Sequence, residues 1–262
     1  MANFRLYYFS EALRMKVGVN VIIPENTWGH SLADRPAGYR YPVLWLQSGG
    51  GFDYTDWPRY TALELYAAEA GVAVVCSGTF CSGYMDTIHG DFKYFTQLSI
   101  ETPRVVRHLF PLSEDPRENF IAGFSMGGYG SLALAFTYPE QYAIAAPLSG
   151  AFDPRWLYDP KHPEKTYFTD IYGNIEDFEG SKNDLYALSK NLKQSGKPMP
   201  KIFQWCGTED FLFSENERMR DHLVSLGWDL TYTQTPGNHS WGYWDREIRS
   251  ILNFIETYRK GI

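Results

Sequence analysis

The sequence predicts an α/β fold in which a mostly parallel sheet carries helices on both faces. After an opening pair of strands, short apolar runs alternate with helical patterns along the chain, and such alternation is typical of parallel sheets with crossover helices. A Gly-x-Ser-x-Gly segment, residues 123–127, also stands between a predicted strand and a predicted helix. That setting is typical of a strand-to-helix turn carrying a nucleophile.

The strands are predicted from short apolar runs rich in β-branched residues and bounded by turn signals. The first two, residues 4–10 and 15–23, are expected to pair antiparallel. The later predicted strands are residues 41–47, 72–76, 119–124, 142–149, 201–206 and 230–234.

The helices are predicted from apolar residues at helical spacing. They cover residues 58–70, 91–110, 126–138, 214–226 and 244–258, and the second is expected to be disturbed near Pro103 because proline breaks helical hydrogen bonding. Residues 150–183 interrupt the alternation of predicted strands and helices, and they contain prolines and glycines among aromatic and acidic residues. We interpret them as a small, cap-like insertion, in place of a large lid, at the edge of the sheet where a site is expected.

Length and composition narrow the class of protein. A chain of 262 residues suits one domain over 1–262, and a net charge of −7 argues against nucleic-acid or anionic-membrane partners. The N-terminus lacks a secretory pattern, and three cysteines without metal-type spacing fit a reduced, cytoplasmic setting. No metal or organic cofactor is expected, since ligand clusters such as His-Glu-x-x-His are absent.

Ser125 is the predicted nucleophile. It lies at the centre of Gly123-Phe124-Ser125-Met126-Gly127. A sharp strand-to-helix turn exposes the serine hydroxyl, and the flanking glycines leave room for the tight crossing of the backbone. The alternative interpretation is a glycine-rich turn that only begins a helix.

A serine hydroxyl needs a neighbouring base, and in this kind of fold an acid and then a histidine follow the serine along the chain. His239 lies in a loop between the last strand and the last helix, whereas His162 lies in the insertion and His222 within a helix. His239 is therefore the predicted base. Asp210 follows a strand and is the predicted acid that orients it, with the adjacent Glu209 as the alternative.

Tetrahedral intermediates of ester hydrolysis need two main-chain donors for the oxyanion. One is expected from Met126, directly after the serine. The other is expected from the loop Ser48-Gly49-Gly50-Gly51, with Gly50 preferred and Gly49 second. A phosphate-binding loop is the alternative for these glycines, but no Gly-Lys-Ser/Thr follows them.

Aromatic residues make up 17% of the chain, which indicates either a bulky core or an aromatic-lined cleft. Gly49, Tyr84 and Trp241 are candidate substrate contacts. Trp156 and Trp244 are further candidates for a surface that faces a sugar, although each of these aromatics is also compatible with a core position.

Four segments, LWLQSGGGFDYTDW, FIAGFSMGGYGSLALA, WCGTEDFLF and GNHSWGYWD, resemble the tributyrin esterase group of esterases. That group is similar to esterase D, also called S-formylglutathione hydrolase. The resemblance implies an α/β-hydrolase fold, a triad of Ser125, Asp210 and His239, and main-chain donors from Gly50 and Met126. It also implies homodimers or homotetramers.

The predicted function is serine carboxylesterase activity on short-chain acyl esters through an acyl-enzyme on Ser125. The alternatives are a carbohydrate esterase acting on acetylxylan, feruloyl esters or another acylated sugar, an S-formylglutathione hydrolase, and an enzyme that transfers the acyl group to a sugar or lipid. A catalytically silent binding protein is the alternative from a different class. The expected partner is thus a small-molecule ester.

Overall fold

In the computed structural model, one eight-stranded sheet runs through the protein. The structure describes residues 1–25, 36–162 and 167–261. The strand order is β1-β2-β4-β3-β5-β6-β7-β8. The strands are β1 (Ala2–Ser10), β2 (Met15–Ile23), β3 (Val43–Gln47), β4 (Ala73–Ser77), β5 (Asn119–Phe124), β6 (Ile144–Leu148), β7 (Lys201–Gly207) and β8 (Leu230–Thr235).

The sheet is parallel from β4 through to β8. Of the described strands, β2 alone runs the other way, since it pairs antiparallel with both β1 and β4. The predicted mostly parallel sheet is confirmed, and this strand arrangement agrees with the α/β-hydrolase fold that the resemblance implies.

The helices cover both faces of this sheet. They are α1 (Asp56–Tyr60), α2 (Leu63–Ala70), α3 (Tyr94–Thr96), α4 (Thr102–Leu109), α5 (Met126–Thr137), α6 (Tyr167–Tyr172), α7 (Leu185–Ser195), α8 (Phe213–Ser225) and α9 (Trp241–Arg259). A π-helical turn covers Gln97–Glu101, and 3-10 turns cover Pro116–Glu118, Pro139–Gln141, Pro154–Leu157 and Ile175–Asp177.

Successive side chains of each central strand point to opposite faces of the sheet, so the core consists of two layers, one on each face. In β5, Ile121 packs into the layer with α5 and α8, whereas Phe120 and Ala122 pack into the layer with α9. Both layers are apolar because a central parallel strand is buried on both faces. The register pairs Gln47 with Gly123 and Phe124 with Leu148, so the loops after β3, β5 and β6 meet at one edge.

The prediction of one continuous helix over residues 58–70 is wrong, because the structure has two shorter helices there. The structure has α1 and α2, separated at Thr61, whose backbone is extended. The Thr61 hydroxyl donates to the Trp57 carbonyl and accepts the Leu63 N–H. Side-chain bonding of this kind competes with the backbone hydrogen bonds of a helix.

The predicted helix over residues 91–110 begins later than expected, at Tyr94. The irregularity expected near Pro103 is the π-helical turn just before it, in which the Thr102 N–H reaches the Gln97 carbonyl. Proline has no N–H to donate to the carbonyl four residues earlier, so the regular hydrogen bonding of the helix is disturbed directly before it. The prediction of a disturbance at this point is confirmed.

Helix α7 lies in a stretch for which the sequence predicted no element. The sequence nevertheless contains the usual residues for the start and end of a helix. The Asp184 side chain accepts the Tyr186 N–H in the first turn, and Gly196 ends the helix with positive φ. In the predicted insertion, residues 163–166, including Pro163, lie outside the described residues.

Candidate active site

Ser125 stands at the junction of β5 and α5 with φ 56° and ψ −121°. Non-glycine residues rarely adopt this conformation, and such strain is found mainly at functional sites. Gly123 and Gly127 make the crossing possible. A Cβ on Gly123 would lie 2.3 Å from the Gly127 carbonyl oxygen, and one on Gly127 would lie 2.7 Å from the oxygens of Gln47 and Ser48.

The main chain of Ser125 is held from both sides. Its N–H donates to the Leu148 carbonyl at 2.9 Å, and its carbonyl accepts the Ala151 N–H at 3.0 Å. The same carbonyl accepts the N–H groups of Gly128 and Tyr129 at the start of α5. The turn is therefore anchored to the end of β6 as well as to its own helix.

The two predicted oxyanion donors lie side by side. A Cβ on Gly50 would lie 3.8 Å from Met126 Sδ and 4.0 Å from Met126 Cβ. Met126 is the first residue of α5, where backbone N–H groups have no partner within the helix. In the described ranges, no main-chain acceptor pairs with the Gly50 N–H, although the N–H groups of Ser48, Gly51 and Phe52 all have one. Two amides are thus free to bind an anionic oxygen beside Ser125.

His239 is paired with Asp210. The distances from His239 Nδ1 to the two carboxylate oxygens are 2.9 and 3.1 Å. The Asp210 side chain is fully buried, whereas that of His239 keeps 19% exposure. Burial favours the protonated acid, but hydrogen bonds from His239, the Leu212 N–H and Ser149 outweigh it and hold the pKa of Asp210 below its ordinary value. The carboxylate is therefore charged at neutral pH and can orient the imidazole.

Glu209 makes different contacts from Asp210. Its carboxylate accepts the Gly237 N–H and the Thr208 hydroxyl, and its own N–H donates to the Gly237 carbonyl at 2.9 Å. Hydrogen bonds from Thr208 and Gly237 lower the pKa of Glu209. A Cβ on Gly207 would lie 2.2 Å from the Gly237 carbonyl oxygen, so β7 packs directly against the histidine loop. Glu209 therefore ties down the loop that carries His239.

Two rings enclose the imidazole. The Phe211 ring lies 4.7 Å from that of His239, and the Trp244 ring lies perpendicular to it at 4.9 Å. Trp244 Nε1 donates to Ser149 Oγ, and Ser149 directly follows Leu148, the residue that holds the Ser125 N–H. The nucleophile turn and the histidine loop thus meet at the same end of β6.

A cavity of about 340 Å³ opens beside Ser125, Gly50 and Met126. Small-molecule sites commonly have volumes of about 300–1,000 Å³. The remaining wall is mostly apolar and comes largely from within the predicted insertion. It consists of Cys81, Gly83, Tyr129, Ala151, Pro154, Trp156, Leu157, Ile171 and Tyr172.

The candidate substrate contacts have different surroundings from those expected. Tyr84 is fully buried, and its hydroxyl donates to the Ser48 carbonyl at 2.6 Å, so it supports the Gly49–Gly50 loop from below and cannot touch substrate. Gly49 is also buried, because Phe124 fills the space a Cβ would need. Its main chain therefore positions that of Gly50.

Trp241 packs among Phe52, Trp57 and Phe124, with ring centroids 4.8–5.5 Å away, and does not line the cavity. Trp244 is 2% exposed and stacks on Phe124, so a sugar-facing role for it is wrong. Trp156 does line the cavity.

Sequence reasoning missed Ser149 and Phe211 beside the acid and base, as well as Tyr129 and Tyr172 in the cavity wall. The position of Tyr129 could have been predicted locally, since it lies one turn into α5 after the serine and therefore near the nucleophile. Ser149 had none, because its contacts with Trp205 and Trp244 join segments far apart in the chain.

Among the described residues, no group of three or more His, Cys, Asp or Glu side chains is arranged to hold a metal ion. In the same part of the chain, no helix has the length and apolar character to cross a membrane. Cys76 and Cys206 are buried and Cys81 is exposed.

Known proteins resemble the chain over almost its whole length. Residues 10–255 match the family described as "Putative esterase". An acetyl esterase of Caldicellulosiruptor saccharolyticus is 25% identical over 97% of this chain and 98% of its own. Two solved Staphylococcus aureus structures each cover 97% of this chain and 98% of their own. The fluorophosphonate-binding serine hydrolase FphF has 31% identity and a TM-score of 0.87, and the S-formylglutathione hydrolase FrmB has 30% identity and a TM-score of 0.84.

Proposed function

The chain belongs to the putative esterase family and is a serine esterase, and we propose that it cleaves short-chain acyl esters through an acyl-enzyme on Ser125. One observation carries this proposal. Ser125 lies in a small apolar cavity beside the Gly50 and Met126 amides, at the edge of the sheet where His239 is paired with buried Asp210.

In the first step the Ser125 hydroxyl attacks the ester carbonyl carbon, and its proton moves to Nε2 of His239. Asp210 accepts the Nδ1–H of the same ring, which keeps Nε2 available as the base and stabilises the imidazolium once it forms. The carbonyl oxygen becomes an oxyanion between the N–H groups of Gly50 and Met126.

The tetrahedral intermediate then collapses. The bond to the alcohol oxygen breaks, and His239 gives its proton to that oxygen, which leaves the acyl group on Ser125. A water molecule attacks the acyl-enzyme while His239 takes one of its protons. Collapse of this second intermediate returns the proton to Ser125 and releases the acid.

The cavity supports a preference for short acyl groups. Its volume of about 340 Å³ lies near the lower end of the range of about 300–1,000 Å³ common for small-molecule sites. Its wall includes Tyr129 and Tyr172, which are 1% and 7% exposed. The hydroxyl of Tyr129 donates to the Asn183 carbonyl and that of Tyr172 to the Gly83 carbonyl. Because these rings are bonded to the main chain behind them, they do not swing aside easily for a longer chain.

Thioester hydrolysis is a second candidate, favoured by the 30% identity to an S-formylglutathione hydrolase. A formyl group is smaller than an acetyl group and would leave most of the cavity empty. Comparison of S-formylglutathione with p-nitrophenyl acetate and butyrate as substrates, by kcat/KM, separates the two activities.

A fluorophosphonate probe tests the nucleophile. We expect the wild type to be labelled and Ser125→Ala to remain unlabelled, with loss of p-nitrophenyl butyrate hydrolysis. Ser225→Ala is the matched control, since this serine is exposed on α8 and its hydroxyl only donates to the His222 carbonyl. Labelling of Ser125→Ala at the wild-type rate would show that another residue is the nucleophile.

A further inference from the structure

The chain that leaves β6 for the cavity wall is held by a buried asparagine, Asn216 in α8. Asn216 Oδ1 accepts the Gly150 N–H at 3.1 Å, and Nδ2 donates to the Gly150 carbonyl at 3.0 Å. Strand β6 ends at Leu148, and the Ser149 N–H still donates to the Trp205 carbonyl of β7. At Gly150 the amide of Asn216 therefore supplies the hydrogen bonds that a neighbouring strand would supply.

The residues on either side of this bonded glycine fix the nucleophile turn. The Ala151 N–H donates to the Ser125 carbonyl at 3.0 Å, and the Leu148 carbonyl accepts the Ser125 N–H. Between them, Ser149 has φ 46°, a conformation that a non-glycine residue keeps only where its surroundings hold it. The two bonds from Asn216 thus stabilise the short segment that fixes the backbone of Ser125.

The same amide also bonds to the acid side of the site. Asn216 Nδ2 donates to the Leu212 carbonyl at 3.0 Å. The Leu212 N–H in turn donates to Asp210 Oδ1 at 2.9 Å, and Asp210 pairs with His239. One NH₂ group therefore joins the residue that bonds the acid to the segment that fixes Ser125.

All the hydrogen-bonding positions of the Asn216 amide are occupied. An asparagine amide has two donors and an oxygen with two lone pairs. The remaining acceptor position is taken by Gln204 of β7, whose Nε2 lies 3.3 Å from Asn216 Oδ1 and also donates to the Asn216 carbonyl at 2.8 Å. Since both side chains are fully buried, this network fixes one arrangement of the segments that it joins.

We propose that Asn216 is a positioning residue of the esterase, which sets the spacing between Ser125 and the His239 imidazole. The inference rests on the proposed function for the roles of Ser125 and His239. Asn216 does not line the cavity, so it acts through the main chain and not on the substrate. Because a displacement of about 1 Å between reacting groups can cost about 100-fold in rate, loss of its bonds should slow the chemical step.

Asn216→Ala and Asn119→Ala form a matched pair of variants. Asn119 lies at the start of β5, at the opposite end of that strand from Ser125. It is also fully buried, and its amide makes four hydrogen bonds, to the carbonyls of Ser113 and Asp115 and to the side chains of Trp45 and Arg107. Loss of either amide should therefore lower the unfolding temperature.

The assay is hydrolysis of p-nitrophenyl butyrate, with each kcat referred to the folded fraction. We expect Asn216→Ala to lower kcat by about 10- to 100-fold with KM within about threefold of wild type. Asn119→Ala should leave kcat and KM within about twofold, because its bonds lie far from the site. A loss below about tenfold in Asn216→Ala, or an equal loss in both variants, would overturn the inference.

A double-mutant cycle separates positioning from a general loss of structure. Asp210→Asn already removes the aligned acid and base, and its residual rate is measured at raised enzyme concentration. Adding Asn216→Ala to it should lower kcat by less than about threefold, since residues that act as a unit are not additive. The same factor in both backgrounds would mean that Asn216 has only a structural role.

Gln204→Leu is the second variant, because loss of four buried hydrogen bonds can prevent Asn216→Ala from folding. It removes only the bonds behind the Asn216 amide, and Gln204 Oε1 has no partner among the described residues. We expect a fall in kcat of about three- to tenfold, and an unchanged kcat would contradict the positioning role. Full activity of Ser125→Ala would instead refute the proposed mechanism, whereas inactive Ser125→Ala beside fully active Asn216→Ala would refute the positioning role alone.

Discussion

Asp210→Asn is the change that most directly tests how the acid acts on His239. In the native protein, Asp210 Oδ1 accepts the Leu212 N–H at 2.9 Å and Oδ2 lies 2.9 Å from His239 Nδ1. Asparagine has one oxygen and one NH₂ group. The Leu212 N–H requires the oxygen, so the NH₂ group takes the position of Oδ2 and faces Nδ1.

An NH₂ group at this position donates to Nδ1 and moves the ring proton to Nε2. His239 is then in the wrong tautomer to accept a proton from Ser125. The same substitution in a serine protease lowers kcat by about 10⁴-fold, which corresponds to about 5 kcal/mol in the activation barrier. We expect a loss of that order here, with KM little changed because the cavity wall is untouched.

The assay is the initial rate of p-nitrophenyl butyrate hydrolysis by Asp210→Asn and by Glu209→Gln, which is the neighbouring control. Glutamine keeps an oxygen for the Gly237 N–H, and Glu209 lies at the surface, so we expect kcat within about twofold of wild type. A retained kcat above about a tenth of wild type in Asp210→Asn, with a large loss in Glu209→Gln, would refute the reasoning and make Glu209 the acid.

Three further outcomes follow from the geometry. Gly50→Pro removes a predicted oxyanion donor and should lower kcat by about 10²–10³-fold, whereas Gly50→Ala, whose Cβ has room, should keep most activity in the same ester assay. Gly123→Ala places a Cβ 2.3 Å from a backbone oxygen and should lower the free energy of unfolding in urea by about 3 kcal/mol or more, while Gly242→Ala, where nothing lies within 4 Å, should not lower it. Burial raises the pKa of Glu215 to about 7, so the native state binds its proton more tightly than the unfolded chain. The stability due to this group is present below about pH 4.5 and is lost as the pH rises through about 7. Glu215→Gln, which can still accept the Asp153 N–H, should therefore abolish a pH-dependent loss of about 3 kcal/mol between pH 4.5 and 8 in urea titrations.

Much of the local structure could be predicted from short stretches of sequence. The strand Asn119–Phe124 has the predicted bounds, and α5 ends one residue earlier than predicted. Apolar runs and glycine spacing act within a few residues, so a window of sequence contains the information. The break at Thr61 was not predictable in this way, because the Ala62 N–H there donates to Asp245, far along the chain.

The sequence by itself determined the mostly parallel sheet and the strand–serine–helix turn, because the alternation of apolar runs with helical patterns and the spacing of glycines act over short stretches of chain. Only the tertiary structure decided that Asp210 and not Glu209 faces His239, and that Tyr84 supports the Gly49–Gly50 loop from within the core. The two carboxylates are adjacent in sequence and both contact the histidine loop, but Asp210 pairs with the His239 ring whereas Glu209 bonds the Gly237 main chain. Side-chain contacts across strands depend on register and on packing between distant segments, and no local pattern of residues specifies these.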